Sequence, residues 1–219
     1  MKLDLHVHTH YSSNKTWRID AVGSPAQIIA QAHKSGLDGI AITDHDTVKG
    51  ALEALAVAQG MKDFVVIPGV EVSSAQGHIL ALGVREDVPA GLTAAETIKK
   101  IHALGGIAVA SHPYAGFPRK SLGDAILKER FDAVEAWNSR TSKHLNGKAE
   151  TLCRANNIPC VANSDAHHWK DVGTAYTEID GSDPLSAIKN GQTKLYRGRM
   201  SWIQYGRLFP AKFLRNIKR

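Results

Sequence analysis

Two short patterns, His6-x-His8 and Asp165-x-His167, place metal-ligating side chains two residues apart in apolar surroundings. In an extended strand, residues i and i+2 point to the same side, so each pair can present two donors to one ion. Further imidazoles and carboxylates follow other apolar runs: His45 after Gly39–Thr43, Glu71 after the stretch ending at Val70, and His112 after Ile107–Ala110. One histidine beside a strand is ordinarily a hydrogen-bonded structural residue. Two same-side pairs together with three further donors are not explained that way. The donors are nitrogen and oxygen, since Cys153 and Cys160 lie elsewhere, which suits Zn, Mn or Fe better than the all-oxygen shells of Ca or Mg. With His78 added the set exceeds what one ion takes, so two or three divalent ions are expected, with Glu71 as a bridging carboxylate.

Apolar runs alternating with helical patterns must position these groups. Strands are expected at 3–7, 39–43, 64–67, 78–84, 107–110, 133–137, 159–162 and 175–179. Helices are expected at 25–35, 47–59, 93–104, 122–128, 143–156 and 184–190, the first with Ser24 as N-cap and Pro25 in its first position. Repeated strand–helix units predict an α/β fold with a mainly parallel sheet, either closed into a barrel or left open. In such folds strand C-terminal ends share one face, where scattered residues meet. His78 is the exception. It begins its strand, so it reaches that face only if the strand runs against its neighbours.

The 219 residues suit one domain with an extension. With 43% hydrophobic and 22% charged residues the chain reads as globular, not disordered. No run approaches the roughly 20 apolar residues of a membrane span, and the first ten residues are too polar for a signal peptide. A cytoplasmic location is therefore expected, with reduced core cysteines. The net charge of +6 is uneven, because no acidic residue follows Asp183. Residues 1–190 are expected to form the catalytic domain. Residues 191–219 are expected to form a basic, aromatic extension packed on it or on a second copy, and a polyanion-binding surface is the other reading of that charge.

Asp4-Leu5-His6-Val7-His8-Thr9, Thr43-Asp44-His45-Asp46, Gly69-Val70-Glu71-Val72, Ser111-His112-Pro113 and Ser164-Asp165-Ala166-His167 together resemble the PHP family, named for polymerases and histidinol phosphatases. The resemblance implies a distorted, seven-stranded TIM-like (β/α) barrel with two or three Zn, Mn or Fe ions at the strand ends. It implies His6, His8, His45, Glu71, His78, His112, Asp165 and His167 as ligands. It departs from the family pattern at Tyr11–Lys15, where a carboxylate is missing. Asn14, Asp20 or His10 are the candidates to replace it.

The activity implied is hydrolysis of phosphate esters by a metal-activated hydroxide near Glu71 and Asp165, with Glu71, His112 and Asp165 as the catalytic groups. The substrate would be a nucleotide, an oligonucleotide or a small phosphoester. Asp4 and Asp44 are expected to orient histidines. Arg119, Arg140 and Arg18 are expected to bind the phosphate through their planar forks. A hydrolase of C–N bonds on a related barrel and a catalytically degenerate metal-binding module are the alternatives, and the C-terminal segment could support a homo-oligomer.

Overall fold

A computed structural model describes residues 1–12, 20–117 and 119–207. Nine strands form one sheet: β1 Lys2–Val7, β2 Gly39–Ile42, β3 Val65–Ser73, β4 His78–Leu82, β5 Ile107–Ala110, β6 Ala133–Asn138, β7 Cys160–Asn163, β8 Tyr176–Ile179 and β9 Thr193–Tyr196. Their order is β7-β6-β5-β4-β3-β2-β1-β8-β9. The run from β1 to β7 supplies the seven barrel strands, and β8 and β9 extend it beyond β1. The sheet curls until its ends nearly meet. Val7 bridges Ala166, Thr177 Oγ1 exchanges hydrogen bonds with the backbone of Ala162, and Thr193 Oγ1 donates to the Cys160 carbonyl.

The pairings β1–β2, β2–β3, β5–β6 and β6–β7 are parallel, whereas β4 runs antiparallel to both β3 and β5. That reversal brings His78, at the start of β4, to the face where the other strands end. β3 is longer than the sequence suggests. Its Pro68-Gly69 step does not break it, and Glu71 sits inside the strand opposite Leu80, not after it. Proline and glycine are tolerated because Pro68 still offers its carbonyl to Gly83 and the bare Gly69 Cα admits the close approach of the Ala81 carbonyl.

One apolar cluster draws a side chain from each of β1 to β8, including Leu3, Leu5, Leu80, Val109 and Val161, and fills the barrel interior. The other strand faces pack outward on helices α1 (Pro25–Lys34), α2 (Lys49–Val57), α3 (Ala94–Ala103) and α4 (Lys143–Asn156). Ser24 and Gln27 close a capping box at the start of α1, with Pro25 in the first turn. Two short α-helices, α5 (Pro184–Lys189) and α6 (Trp202–Gly206), and two 3-10 turns, Gly123–Leu127 where the sequence predicts a helix and Trp169–Asp171, complete the described chain. Among the described residues no helix is long and apolar enough to cross a membrane.

Two irregularities re-aim side chains. Between Asp4 and Val7, β1 spends three steps where β2 spends two, from Ile40 to Ile42. Leu3 and Leu5 therefore point inward, yet Val7 points outward to α1, and His6 and His8 turn into the barrel mouth. A matching slip between Glu135 and Trp137 in β6 turns Asn138 toward the same mouth. An extra residue in one strand is the usual device for such a switch.

Candidate metal centre

At the mouth, His6 Nε2 and His8 Nε2 stand 3.0 Å apart. Glu71 Oε2 lies 3.3 Å from each, and Asp165 Oδ1 lies 3.6 and 3.5 Å from them. A tetrahedral shell with metal–ligand bonds of about 2.1 Å has edges of about 3.4 Å, so His6, His8 and Glu71 are spaced as three ligands of one ion would be, and Asp165 lies at a similar distance from the two histidines. Glu71 faces two ways. Its Oε2 also meets His45 Nδ1 at 3.3 Å, while its Oε1 meets His78 Nδ1 at 3.2 Å and His112 Nε2 at 3.0 Å. A further group joins His8, His45 and His167 to Asp20, whose Oδ2 lies 3.0 Å from His167 Nε2 and 3.4 Å from His45 Nε2. Three overlapping donor sets could thus hold ions: His6/His8/Glu71, His45/Glu71/His78 and His8/Asp20/His45/His167.

The electrostatics favour positive charge at the centre of this cup. Burial works against every ion in it, yet for His6, His8, Glu71 and Asp165 neighbouring charges win. His6 is pushed well above the usual imidazole range by Glu71, Glu135 and Asp165, and His8 is pushed to about 9 by Asp165 and Glu71. Glu71 is held well below the carboxylate range by His6, His45 and His78, and Asp165 by Arg140 and His6. His45 goes the other way, down to about 3, because burial and the charges on His8 and His78 outweigh Glu71. The Nδ1 atom of His112 is buried without a hydrogen-bond partner among the described residues.

Backbone conformation serves the same end. His112 and Asp165 both adopt positive φ, 27° and 54°, which side-chain-bearing residues rarely take. Each sits directly beyond a strand and turns its side chain back over the mouth.

Two arginines close one side. Arg119 Nη1 donates to Asp165 Oδ2 at 3.0 Å, and its Nη2 donates to Thr141 Oγ1 and the Arg140 carbonyl. Arg140 Nη1 lies 3.3 Å from Asp165 Oδ1 and 2.6 Å from His167 Nδ1. Both guanidiniums line a cavity of about 340 Å³ with Phe117, Thr141, Ser142 and Tyr205. Tyr205 comes from α6 and donates its hydroxyl to the Arg140 carbonyl, so the segment beyond residue 190 reaches this rim.

The structure brings all eight expected donors to one mouth, and it places Asp20 beside them where the Tyr11–Lys15 segment offers no carboxylate. His10 is exposed and turned to the Gly23 carbonyl. Arg18 and Asn14 lie outside the described residues. The expectation for Asp4 and Asp44 is corrected, because neither touches a histidine. Asp4 accepts from the Ser164 and Gly173 amides, and Asp44 accepts from the amide and hydroxyl of Thr9. The carboxylate that does hold a histidine is Glu135, buried in β6 and 3.0 Å from His6 Nδ1. Its only signal in the sequence is an acid inside the apolar run Ala133–Trp137.

Fold and site together define an α/β barrel whose strand ends converge on a metal-competent imidazole–carboxylate cup. The family described as PHP-associated matches residues 143–193. An uncharacterized protein of Methanocaldococcus jannaschii is 42% identical over 143 residues, 64% of this chain and 82% of its own length. The phosphoribosyl 1,2-cyclic phosphate 1,2-diphosphodiesterase of Eggerthella lenta is 33% identical over 107 residues, 46% of this chain and 38% of the enzyme. A two-domain protein from Bacteroides vulgatus, containing a predicted PHP-like metal-dependent phosphoesterase, superposes with a TM-score of 0.70 at 17% identity, over 90% of this chain and 65% of that one. The chain belongs to the PHP family.

Proposed function

We propose that this protein is a metal-dependent hydrolase of phosphate esters. The observation that carries the reading is the convergence of Glu71 Oε2 and Asp165 Oδ1 on the paired Nε2 atoms of His6 and His8, each carboxylate oxygen 3.3–3.6 Å from both nitrogens, beside two guanidiniums. His6 Nδ1 lies 3.0 Å from Glu135 Oε1, so once a cation displaces the proton from Nε2 the imidazole would turn a lone pair into the cup alongside two carboxylate oxygens. Such a cluster calls for a cation. The donor types fit Zn, Mn or Fe, and the three overlapping sets would hold two or three ions, with Glu71 common to two of the sets. Ions in such a site lower the pKa of water and neutralise charge on a phosphoryl group.

The chain's own side chains supply the rest. Arg119 and Arg140 offer planar forks to phosphoryl oxygens next to Asp165. Asp165 and Glu71, kept ionised by their neighbours, fix the cup's negative charge next to the attacked phosphorus. His112, 3.0 Å from Glu71, steadies that carboxylate on the far side. The cavity beside the arginines receives the organic part of the ester, and the name of the Eggerthella lenta relative supports a phosphorus centre, whereas a structural neighbour from Chromobacterium violaceum is called an amidohydrolase.

The test is metal analysis of the purified protein, followed by hydrolysis of a chromogenic phosphomonoester and phosphodiester with zinc, manganese or iron. Chelation and His8→Ala should each abolish turnover. A fully metal-loaded protein that turns over neither ester refutes the reading.

A further inference from the structure

Glu135 is fully buried, yet it is not among the donors that face one another across the cup. Its two oxygens take four N–H donors from four different strand ends. Oε1 accepts from His6 Nδ1 and Asn163 Nδ2, both at 3.0 Å. Oε2 accepts from the His112 amide at 2.7 Å and from Asn138 Nδ2 at 3.0 Å.

The donors cannot be reversed at will. The His112 amide is backbone. The Asn163 side-chain oxygen already accepts the Leu5 amide at 3.0 Å, and that of Asn138 accepts the Arg140 amide at 3.0 Å. Those contacts fix which end of each amide group faces Glu135. A site that receives only N–H groups has no place for a proton of its own, so Glu135 stays ionised, and His6 must carry its proton on Nδ1.

From this arrangement we infer that Glu135 is a positioning residue that locks the tautomer of His6 and thereby aims the Nε2 lone pair at His8, Glu71 and Asp165. This rests on the reading of the cup as a metal centre. Histidine ligands commonly receive such support, and its loss typically costs about 10–100-fold in metal affinity.

The inference makes the near-isosteric change Glu135→Gln informative. The glutamine oxygen is favoured facing the His112 amide and Asn138, where two fixed donors point, over the opposite side, where Asn163 is the one fixed donor. The new NH2 group then faces His6 Nδ1. His6 can meet it only as an acceptor, which moves the proton to Nε2 and points an N–H into the cup.

The experiment titrates zinc into the whole wild-type and E135Q proteins against a chromophoric competitor chelator, and records long-range 1H–15N imidazole spectra of both. The expected result is about 10–100-fold weaker binding of one ion in E135Q. The His8/Asp20/His45/His167 set, which lacks His6, keeps its affinity. In zinc-loaded wild type the His6 signature should show a proton on Nδ1 and metal on Nε2. Wild-type zinc affinity at every site of E135Q overturns the inference. So does a wild-type spectrum without a proton on Nδ1, and this second measurement decides the matter if E135Q does not fold. If wild type takes up no zinc, the metal reading fails, while the His6 Nδ1–H signal in that same sample still tests the Glu135 contact.

Discussion

Replacing a helical glycine by alanine ordinarily stabilises a protein by up to about 1 kcal/mol. Gly50 in α2 should do the opposite. A Cβ there would overlap Asp44 Oδ2 and come within 2.5 Å of Thr9 Oγ1. Both atoms belong to the contact that ties the residue after His8 to the end of β2, where Asp44 accepts the Thr9 amide at 2.6 Å and its hydroxyl at 2.7 Å. Asp44 and Thr9 are fully buried and cannot swing into solvent. Hydrogen bonds to a charged group contribute about 1.5–3 kcal/mol each, so disrupting both, less the helix gain, leaves Gly50→Ala destabilised by about 2–5 kcal/mol. For a chain of this size that lowers the melting temperature by about 4–20 °C. Gly147 in α4 is the control. It is exposed, nothing lies within 4 Å of its added Cβ, and Gly147→Ala should raise the melting temperature by a few degrees. Thermal and urea unfolding of the two variants check this. If Gly50→Ala melts at or above wild type, the Asp44–Thr9 contact is not the constraint described.

Asp20→Ala should remove one tightly held ion, because Asp20 supplies the carboxylate to the set formed with His8, His45 and His167. Elemental analysis after dialysis should show about one equivalent fewer, and unchanged content would exclude Asp20 as a ligand. Arg119→Ala should raise KM for a phosphate ester about tenfold or more, the equivalent of one charge-assisted hydrogen bond. Arg119→Lys should not restore it, since the planar fork is lost, and steady-state kinetics on the three proteins decides. Asp183 caps α5 and is held below the usual aspartate range by the side-chain and amide hydrogen bonds from Ser186. A depressed folded pKa gives stability that is fully present above about pH 4 and lost as pH falls through the folded value. Asp183→Ala should therefore lower the melting temperature at pH 7 by more than it does near pH 3, and a pH-independent difference would contradict the cap's charge.

Most strands and helices were legible because each is a short apolar or amphipathic run closed by a clear stop, as at Gly36 and Gly105. The full length of β3 was hidden by Pro68-Gly69, which reads as a break although Gly69 is what lets the Ala81 carbonyl approach. β9 was missed because Thr193–Tyr196 is a four-residue edge strand with exposed Lys194 and Tyr196, too short and too polar to show a pattern. The ligand candidates stood out by spacing. Their supports did not, since Glu135 has no partner at a telling interval and three of the four groups it holds, His6, His112 and Asn163, come from other strands. Asp4 and Asp44 misled for a related reason. Adjacency to a histidine in sequence says nothing of direction, and both carboxylates turn to backbone amides instead. The two irregularities in β1 and β6 were likewise invisible, because the inserted residue looks like any other in the run.

His112 and Asp165 hold left-handed backbone conformations that cost a side-chain-bearing residue of the order of 1–2 kcal/mol each, and that glycine would adopt freely. Stability and chemistry therefore pull these two positions in opposite directions. A population of variants screened only for heat resistance should accumulate glycine there and lose the site with the fold intact, whereas a screen that also demands turnover should retain both residues. The pair marks where thermostabilising this protein by consensus or selection must be held back.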